Sequence, residues 1–225
     1  LNLAPYHLNW HRSMDSYEQA KGRIFANQLP GDASIGFVSD EAVMRHLDAS
    51  AARHVTFGLD AGDYRVEEID GTPALVGPRG PLAAVADMRR SLPHDVTNAL
   101  AASALVLESG LADVDAVRTA LATFVGPPHR LEHVADIGGV SWFNDSKATT
   151  PHAASAAIRS FEHIVLIAGG YDKHVDLSPM AAEPDRVDAL IAIGDTGPAL
   201  AEVFAAVDHV DVVADLPAAV GRATQ

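Results

Sequence analysis

The chain contains no cysteine and only three lysines, Lys21, Lys147 and Lys173, among its 225 residues. Without cysteine there is no disulfide framework, no thiolate metal site and no cysteine nucleophile. Positive charge is scarce altogether: 16 basic side chains stand against 30 acidic ones, for a net charge of −14. Nucleic-acid and anionic-membrane binders need clustered positive charge, so this balance argues against both. The shortage is general, because residues 1–125 hold 10 basic and 16 acidic groups and residues 126–225 hold 6 and 14. Neither half is a basic arm. No apolar run approaches the roughly 20 residues that cross a bilayer, and no signal-peptide pattern is present, so membrane insertion is not expected and the cytoplasm is.

What remains is a globular composition, 48% hydrophobic and 20% charged, sufficient for one large or two small cores. The chain begins Leu-Asn-Leu, like the end of a buried strand, and stops at Gln225 inside a helical pattern that starts near Leu216. These ends predict an internal segment of a longer enzyme.

Helix and strand alternate in the first half. Ser13 to Leu29 has near-helical apolar spacing (Met14, Tyr17, Ala20, Ile24, Leu29), with Ser13 as N-cap and Pro30-Gly31 as stop. A strand over 34–40, a helix over 41–50 and a strand over 53–59 follow. Residues 63–82 alternate weakly around Gly71-Thr72-Pro73 and Gly77-Pro78, which predicts short antiparallel strands. Helices are expected over 93–109, closed by Gly110, and over 113–125. Gly126-Pro127-Pro128 is the strongest punctuation and predicts a boundary between domains 1–126 and 127–225. Beyond it a hairpin flanks Gly138-Gly139. Strands 163–170, 187–194 and 209–215 then alternate with helices 151–161, 178–183, 197–207 and 216 onward. Apolar strands separated by helices predict an α/β, Rossmann-like second domain with a mainly parallel sheet, its ligands at the carboxyl ends of the strands.

Neither IAGGYDK nor IGDTGPA spells the dinucleotide fingerprint, and the phosphate loop G-x-x-x-x-G-K-[ST] is absent. Asn144 to Thr149 (NDSKAT) brings a carboxylate, hydroxyls and an amine to a strand's end, ahead of a helix that starts near Pro151. That pattern reads equally as a phosphate or carboxylate site built on Asp145 and Lys147, and as an ordinary polar turn. Gly169-Gly170-Tyr171-Asp172-Lys173 follows a buried strand, where glycines allow close backbone approach and Lys173 can meet an anion; a plain turn is the alternative. His7 and His11 share an i, i+4 spacing but lack the glutamate of a zinc protease, so a hard-cation site at His7 stays open. His129-Arg130 lies at the expected boundary, and His94 precedes Thr97 and Asn98 on one helix. Lys21 falls mid-helix near the apolar face, as a snorkelling stem or as an amine used for chemistry.

In order along the chain, NLAPYHLNWH, SYEQAKGRI, TFGLDAGDY, LPHDVTNALAA, FVGPPHRLE, WFNDSKATTP and LIAGGYDKHVDLSP resemble the motifs of the Mur ligases of peptidoglycan synthesis. The resemblance runs over essentially the whole chain, and Gly62-Asp63-Tyr64 with Leu177-Ser178-Pro179 favours the D-glutamate-adding branch. It implies the second half of a central ATPase domain followed by a Rossmann-like C-terminal domain, in a cytoplasmic bacterial enzyme expected to be a monomer. The UDP-binding domain, the phosphate loop and the extreme C-terminus would lie outside this segment, which alone would be inactive. The implied activity is ATP-dependent addition of D-glutamate to UDP-N-acetylmuramoyl-L-alanine through an acyl phosphate, with Mg2+. By resemblance His7 would be a magnesium ligand, and Lys21 would carry a CO2-derived carbamate. Asn98 and His94 would lie against adenine, and His129 and Arg130 would meet the nucleotide. Asp145 and Lys147 would approach the ATP phosphates, and Thr149 and Lys173 the D-glutamate carboxylates. Tyr6 and Asn9 stand where the family usually carries aspartates, and Asp95 replaces an asparagine often seen near adenine. Three rivals share these features: a sibling Mur ligase, a folylpolyglutamate synthetase relative, and a non-catalytic nucleotide-binding module.

Overall fold

The structure is a computed structural model that describes residue 3 and residues 10–225. The expectations for His7, Tyr6 and Asn9 therefore lie outside the described residues. The chain forms two compact units, Leu1–Gly126 and Pro127–Gln225.

The first unit opens with α1 (Met14–Gly22), whose N-cap Ser13 accepts from Ser16 N. The helix expected to reach Leu29 ends at Gly22 and continues as one 3-10 turn, Arg23–Phe25. Glycine is a poor helix former, and the His46 ring packs on it so closely that a Cβ at Gly22 would strike the imidazole. Of the expected apolar stripe Tyr17 is buried, while Ile24 and Leu29 remain exposed.

β1 (Ala33–Phe37) and β2 (Arg53–Phe57) pair in parallel, joined by α2 (Glu41–Asp48). Asp40 caps α2 by accepting from Val43 N at 3.0 Å. β3 (Arg65–Ile69), β4 (Thr72–Gly77) and β5 (Gly80–Ala84) form an antiparallel meander. Its first turn sits on Asp70 and Gly71, both at positive φ, which suits the twist of a tight hairpin.

α3 (Pro93–Glu108) starts on a proline, and Gly110 beyond its end takes φ +70°. Its Leu100 and Ala104 are fully buried against Val55, Phe57, Leu75 and Leu82, the centre of this unit's core. α4 (Val114–Thr123) is capped by Asp113 and pinned by Arg118, which donates to the carbonyls of Leu82 and Pro81 at 2.8 and 3.1 Å.

The second unit begins with the hairpin β6 (Glu132–Ile137) and β7 (Val140–Asn144), turned on Gly138 and Gly139, both at positive φ. α5 (Pro151–Ile158) is capped by Thr150. β8 (Ile164–Gly169), β9 (Val187–Ile193) and β10 (His209–Val213) form a parallel sheet in the order β10-β9-β8. The helix expected over 178–183 is instead two 3-10 turns, Ser178–Ala181 and Pro184–Arg186. Pro184 lacks the amide donor that an α-helix running on from Ser178 would need there. α6 (Gly197–Val203) connects β9 to β10, and α7 (Leu216–Ala223) follows β10.

β9 is central. Its Leu190 and Ala192 join Leu200, Phe204, Ile158 and Val187 in one core, and α7 packs against β8 and β9. Burial on a central parallel strand explains the run of apolar residues from Ala189 to Ile193. Among the described residues no helix is long and apolar enough to cross a membrane.

Candidate functional site

In the second unit the segment leaving β7 folds back on residues 129–131. Asn144 Oδ1 accepts from Ser146 N at 3.0 Å, a side-chain turn that bends the chain at the strand's end. Lys147 N donates to His129 O at 3.1 Å, and Leu131 N donates to Asp145 Oδ1 at 3.1 Å. The side chains of Asn144 and His129 hydrogen-bond at 2.9 Å. These bonds hold His129 and Leu131 in left-handed conformations, φ +61° and +43°, which non-glycine residues rarely adopt. His129, Arg130, Asp145 and Lys147 are thereby brought into one place, with His129, Arg130 and Lys147 exposed and Asp145 half-buried.

A second convergence lies alongside in the same unit. Lys173, in the loop after β8, donates its Nζ to Thr149 O at 3.2 Å. Two segments 24 residues apart in sequence, the loop after β7 and the loop after β8, therefore meet at exposed residues. The loop after β8 is seated by backbone contacts: Gly170 N donates to Ile193 O at 3.1 Å, and Gly170 O accepts from Thr196 N at 3.1 Å. Gly169 and Gly170 take φ +133° and +141°, and a Cβ on Gly169 would overlap Ile193 O. Further along this loop Asp176 accepts from Ser178 N and Ser178 Oγ, which hold its carboxyl below the usual carboxylate range. Chemically, the ends of β7 and β8 present two ammonium groups, a carboxylate, hydroxyls and an imidazole to solvent beside the start of α5. That set suits a multiply charged anion.

In the first unit Lys21 lies in the last turn of α1, near its end rather than mid-helix, and is exposed. Its Nζ sits 4.9 Å from the centroid of the Tyr17 ring, a cation–π contact. Lys21 lines a shallow hollow of about 50 Å³ with Leu3, Glu18, Gly22, Phe25, Ala42, Val43 and His46. Glu18 bridges His46 at 3.1 Å and Arg45 at 3.0 Å. None of the other described candidate residues lines this hollow. His94 and Asn98 lie in the first turns of α3, one helical turn apart, with His94 half-buried and Asn98 exposed. His94 Nε2 is 3.4 Å from Asp95 Oδ1, which also accepts from Arg90 Nε at 3.0 Å.

Sequence reasoning overlooked Arg90 and Thr196. Thr196 stands in a Gly-Asp-Thr run after a strand, a signal that a loop-clamping hydroxyl could have supplied. Arg90 has no such signal, because one of its partners, Val125 O, lies 35 residues further along the chain.

Two α/β units, the second built on the parallel sheet β10-β9-β8 with a polar loop after β8, define the fold class. The Mur ligase middle domain matches residues 1–106, and the Mur ligase glutamate ligase domain matches residues 129–225. The chain belongs to the Mur ligase family. It is 38% identical to UDP-N-acetylmuramoylalanine–D-glutamate ligase of Thermobifida fusca over 206 residues, 86% of this chain and 43% of that protein. The chain thus spans less than half the length of such relatives. Its fold is similar to that of MurF from Acinetobacter baumannii, with a TM-score of 0.73 at 22% identity over 93% of this chain and 49% of that one. Folylpolyglutamate synthase from Mycobacterium tuberculosis gives a TM-score of 0.65 at 21% identity over 94% of this chain and 52% of that one.

Proposed function

We propose that this chain is part of an ATP-dependent, ADP-forming ligase that joins D-glutamate to UDP-N-acetylmuramoyl-L-alanine in peptidoglycan precursor synthesis. The name carried by the relatives near 38% identity supports this substrate pair. One structural observation carries the reading furthest: the hydrogen bond from Lys173 to Thr149 O, which joins the two strand-end loops bearing the charged candidates.

In this reading the alanyl carboxylate attacks the γ-phosphorus of ATP, ADP leaves, and an acyl phosphate forms. The amine of D-glutamate then attacks the acyl carbon, and phosphate leaves through a tetrahedral intermediate. Both steps build negative charge on oxygen, and Lys147 offsets it near the phosphates. Asp145 acts first on the chain itself, because its carboxylate fixes Leu131 N and so the presentation of His129 and Arg130. Thr149 and Lys173 receive the carboxylates of D-glutamate, while His94 and Asn98 lie against adenine.

Mg2+ takes oxygen ligands and would supply charge neutralisation between the phosphates. No three His, Asp or Glu side chains cluster among the described residues, and His7 lies outside them, so the described residues alone do not make its site. Lys21 is the residue proposed to take up CO2, forming an N–C bond and releasing a proton to give a carbamate. Its exposure at the end of α1 leaves the amine reachable.

The test is phosphate release from ATP by the full-length protein. Release that requires both UDP-N-acetylmuramoyl-L-alanine and D-glutamate is the expected result. Release with a different amino acid would move the protein to a sibling or to a folylpolyglutamate synthetase-like ligase. No ATP consumption with any acceptor would leave a nucleotide-binding module. Lys21→Ala should abolish turnover, with partial recovery in added short carboxylates; full activity in that variant would remove the carbamate.

A further inference from the structure

We infer that Arg90 is a positioning residue for the nucleotide, tying the first turn of α3 to the end of the unit at Val125–Gly126. The inference rests on the proposed adenine role of His94 and Asn98. Arg90 Nε donates to Asp95 Oδ1 at 3.0 Å, and its Nη1 reaches Val125 O at 3.5 Å. The pair is largely withdrawn from solvent, with side-chain exposures of 15% for Arg90 and 12% for Asp95.

Gly126 completes the arrangement. It adopts φ +81°, and a Cβ there would lie 2.9 Å from Arg90 Nη1 and 3.1 Å from Cζ. A side chain there would be strained at that φ and would push the guanidinium aside. Arg90 therefore sits between two surfaces, the Asp95 carboxylate and the Val125–Gly126 backbone. The strongest punctuation in the sequence begins at the atom that packs on it.

Asp95 shows why the arginine is required. Its Oδ2 is buried and has no hydrogen-bond partner. A carboxylate in that state depends on the charge that faces its other oxygen. Remove Arg90 and Asp95 must turn toward water, carrying the backbone between His94 and Val96. Asp95 lies beside His94 in sequence and one turn before Asn98, so such a shift moves both adenine-facing side chains. The Leu92 side chain makes no capping hydrogen bond to hold this turn in place. Arginine is suited to the task because its rigid planar fork aims separate donors at a carboxylate and a carbonyl, a fixed geometry that the rotating ammonium of a lysine does not supply.

Isothermal titration of ADP, and separately of inorganic tripolyphosphate, into the full-length protein tests this. Neither needs turnover. Arg90→Ala should weaken ADP about tenfold, as for a broken charged hydrogen bond, and leave tripolyphosphate within about twofold. Arg90→Lys should lie between the wild type and Arg90→Ala, and it answers the same question if Arg90→Ala does not fold. Gly126→Ala should weaken ADP in the wild-type background and add little on top of Arg90→Ala, since partners in one network are not additive. Arg118→Ala removes an arginine that holds the carbonyls of Leu82 and Pro81; it should lower the melting temperature without changing ADP affinity. Wild-type affinity for ADP in the Arg90 variants overturns the inference. So does equal weakening of ADP and tripolyphosphate, or an undiminished effect of Gly126→Ala in the Arg90→Ala background. If the wild type binds neither ligand, the proposed function itself fails, a separate outcome.

Discussion

The two units hold their candidate residues by different means. In the first, His94 and Asn98 ride on a 16-residue helix whose apolar face is locked in the core, and side-chain ion pairs fix its ends. Arg90 and Asp95 meet at its start. At its end Tyr64 donates to Glu108 Oε1 at 2.6 Å and Arg53 reaches Glu108 Oε2 at 2.7 Å. In the second unit the candidates sit on loops shaped by backbone conformation: positive φ at His129, Leu131, His174, Gly169, Gly170 and Gly194. A side-chain network can be removed one partner at a time, whereas a backbone shape fails when a Cβ cannot fit.

The difference is open to attack from both sides. The largest effect should come from Gly169→Ala. Its Cβ would overlap Ile193 O at φ +133°, and the loop that carries Lys173 begins there. We expect a loss of about 3 kcal/mol or more by urea denaturation, because both strain and a steric clash arise. A loss under about 1 kcal/mol would show that the end of β8 adapts, and the contrast between the units would weaken.

Next in size is Tyr64→Phe, which deletes the hydroxyl facing Glu108 and should cost about 1–3 kcal/mol by thermal unfolding. The pH dependence of that loss carries a sign. The Tyr64 hydroxyl and then the Arg53 guanidinium hold the Glu108 carboxyl below its usual value. Its contribution is thus present above the unfolded value of 4.5 and lost as pH falls through the folded one. Burial first, and then the Glu108 carboxylate, push Tyr64 up from 10 to about 12. Stability from that group is full below pH 10 and is lost as pH rises toward 12. Stability curves of Tyr64→Phe should therefore be flatter than wild type at both the acid and the alkaline end. Curves parallel to wild type would remove the pair from the stability of this unit.

Asp145→Ala should cost less, about 1 kcal/mol for one hydrogen bond to a backbone amide, yet should reduce ligase turnover far more than stability. Equal loss of both would place Asp145 among purely structural residues. The smallest effect belongs to Arg45→Ala at the mostly exposed pair with Glu18, within about 0.5 kcal/mol by the same denaturation assay. A larger change would mean that the Lys21 hollow depends on this pair.

Much of the fold is legible in the residues because local chemistry decides it. Ser13, Asp40, Asp113, Thr150 and Asp215 all cap the helices that follow them. Gly138-Gly139 turns a hairpin, and the apolar run from Ala189 to Ile193 is a central parallel strand. The apolar spacing through Leu29 misleads, since the helix ends at Gly22, which packs on the His46 ring, a partner 24 residues on that no local pattern announces. The 178–183 segment misleads for the opposite reason: Pro184, directly after it, stops an α-helix locally.

Of the candidate site, the residue types and their strand-end positions belong to the sequence: a chain with three lysines has one at the end of α1 and one in each loop after β7 and β8. Covalent order sets those positions, because side-chain size, capping and apolar period act over a few residues. Tertiary structure alone decided that Lys173 reaches Thr149, that His129 is bent to positive φ by its bonds to residues 144–147, and that the Val125–Gly126 backbone packs on Arg90. Each of those depends on where distant segments are brought by burial of their cores, and a hydrogen bond or a close approach exists only once that packing is made.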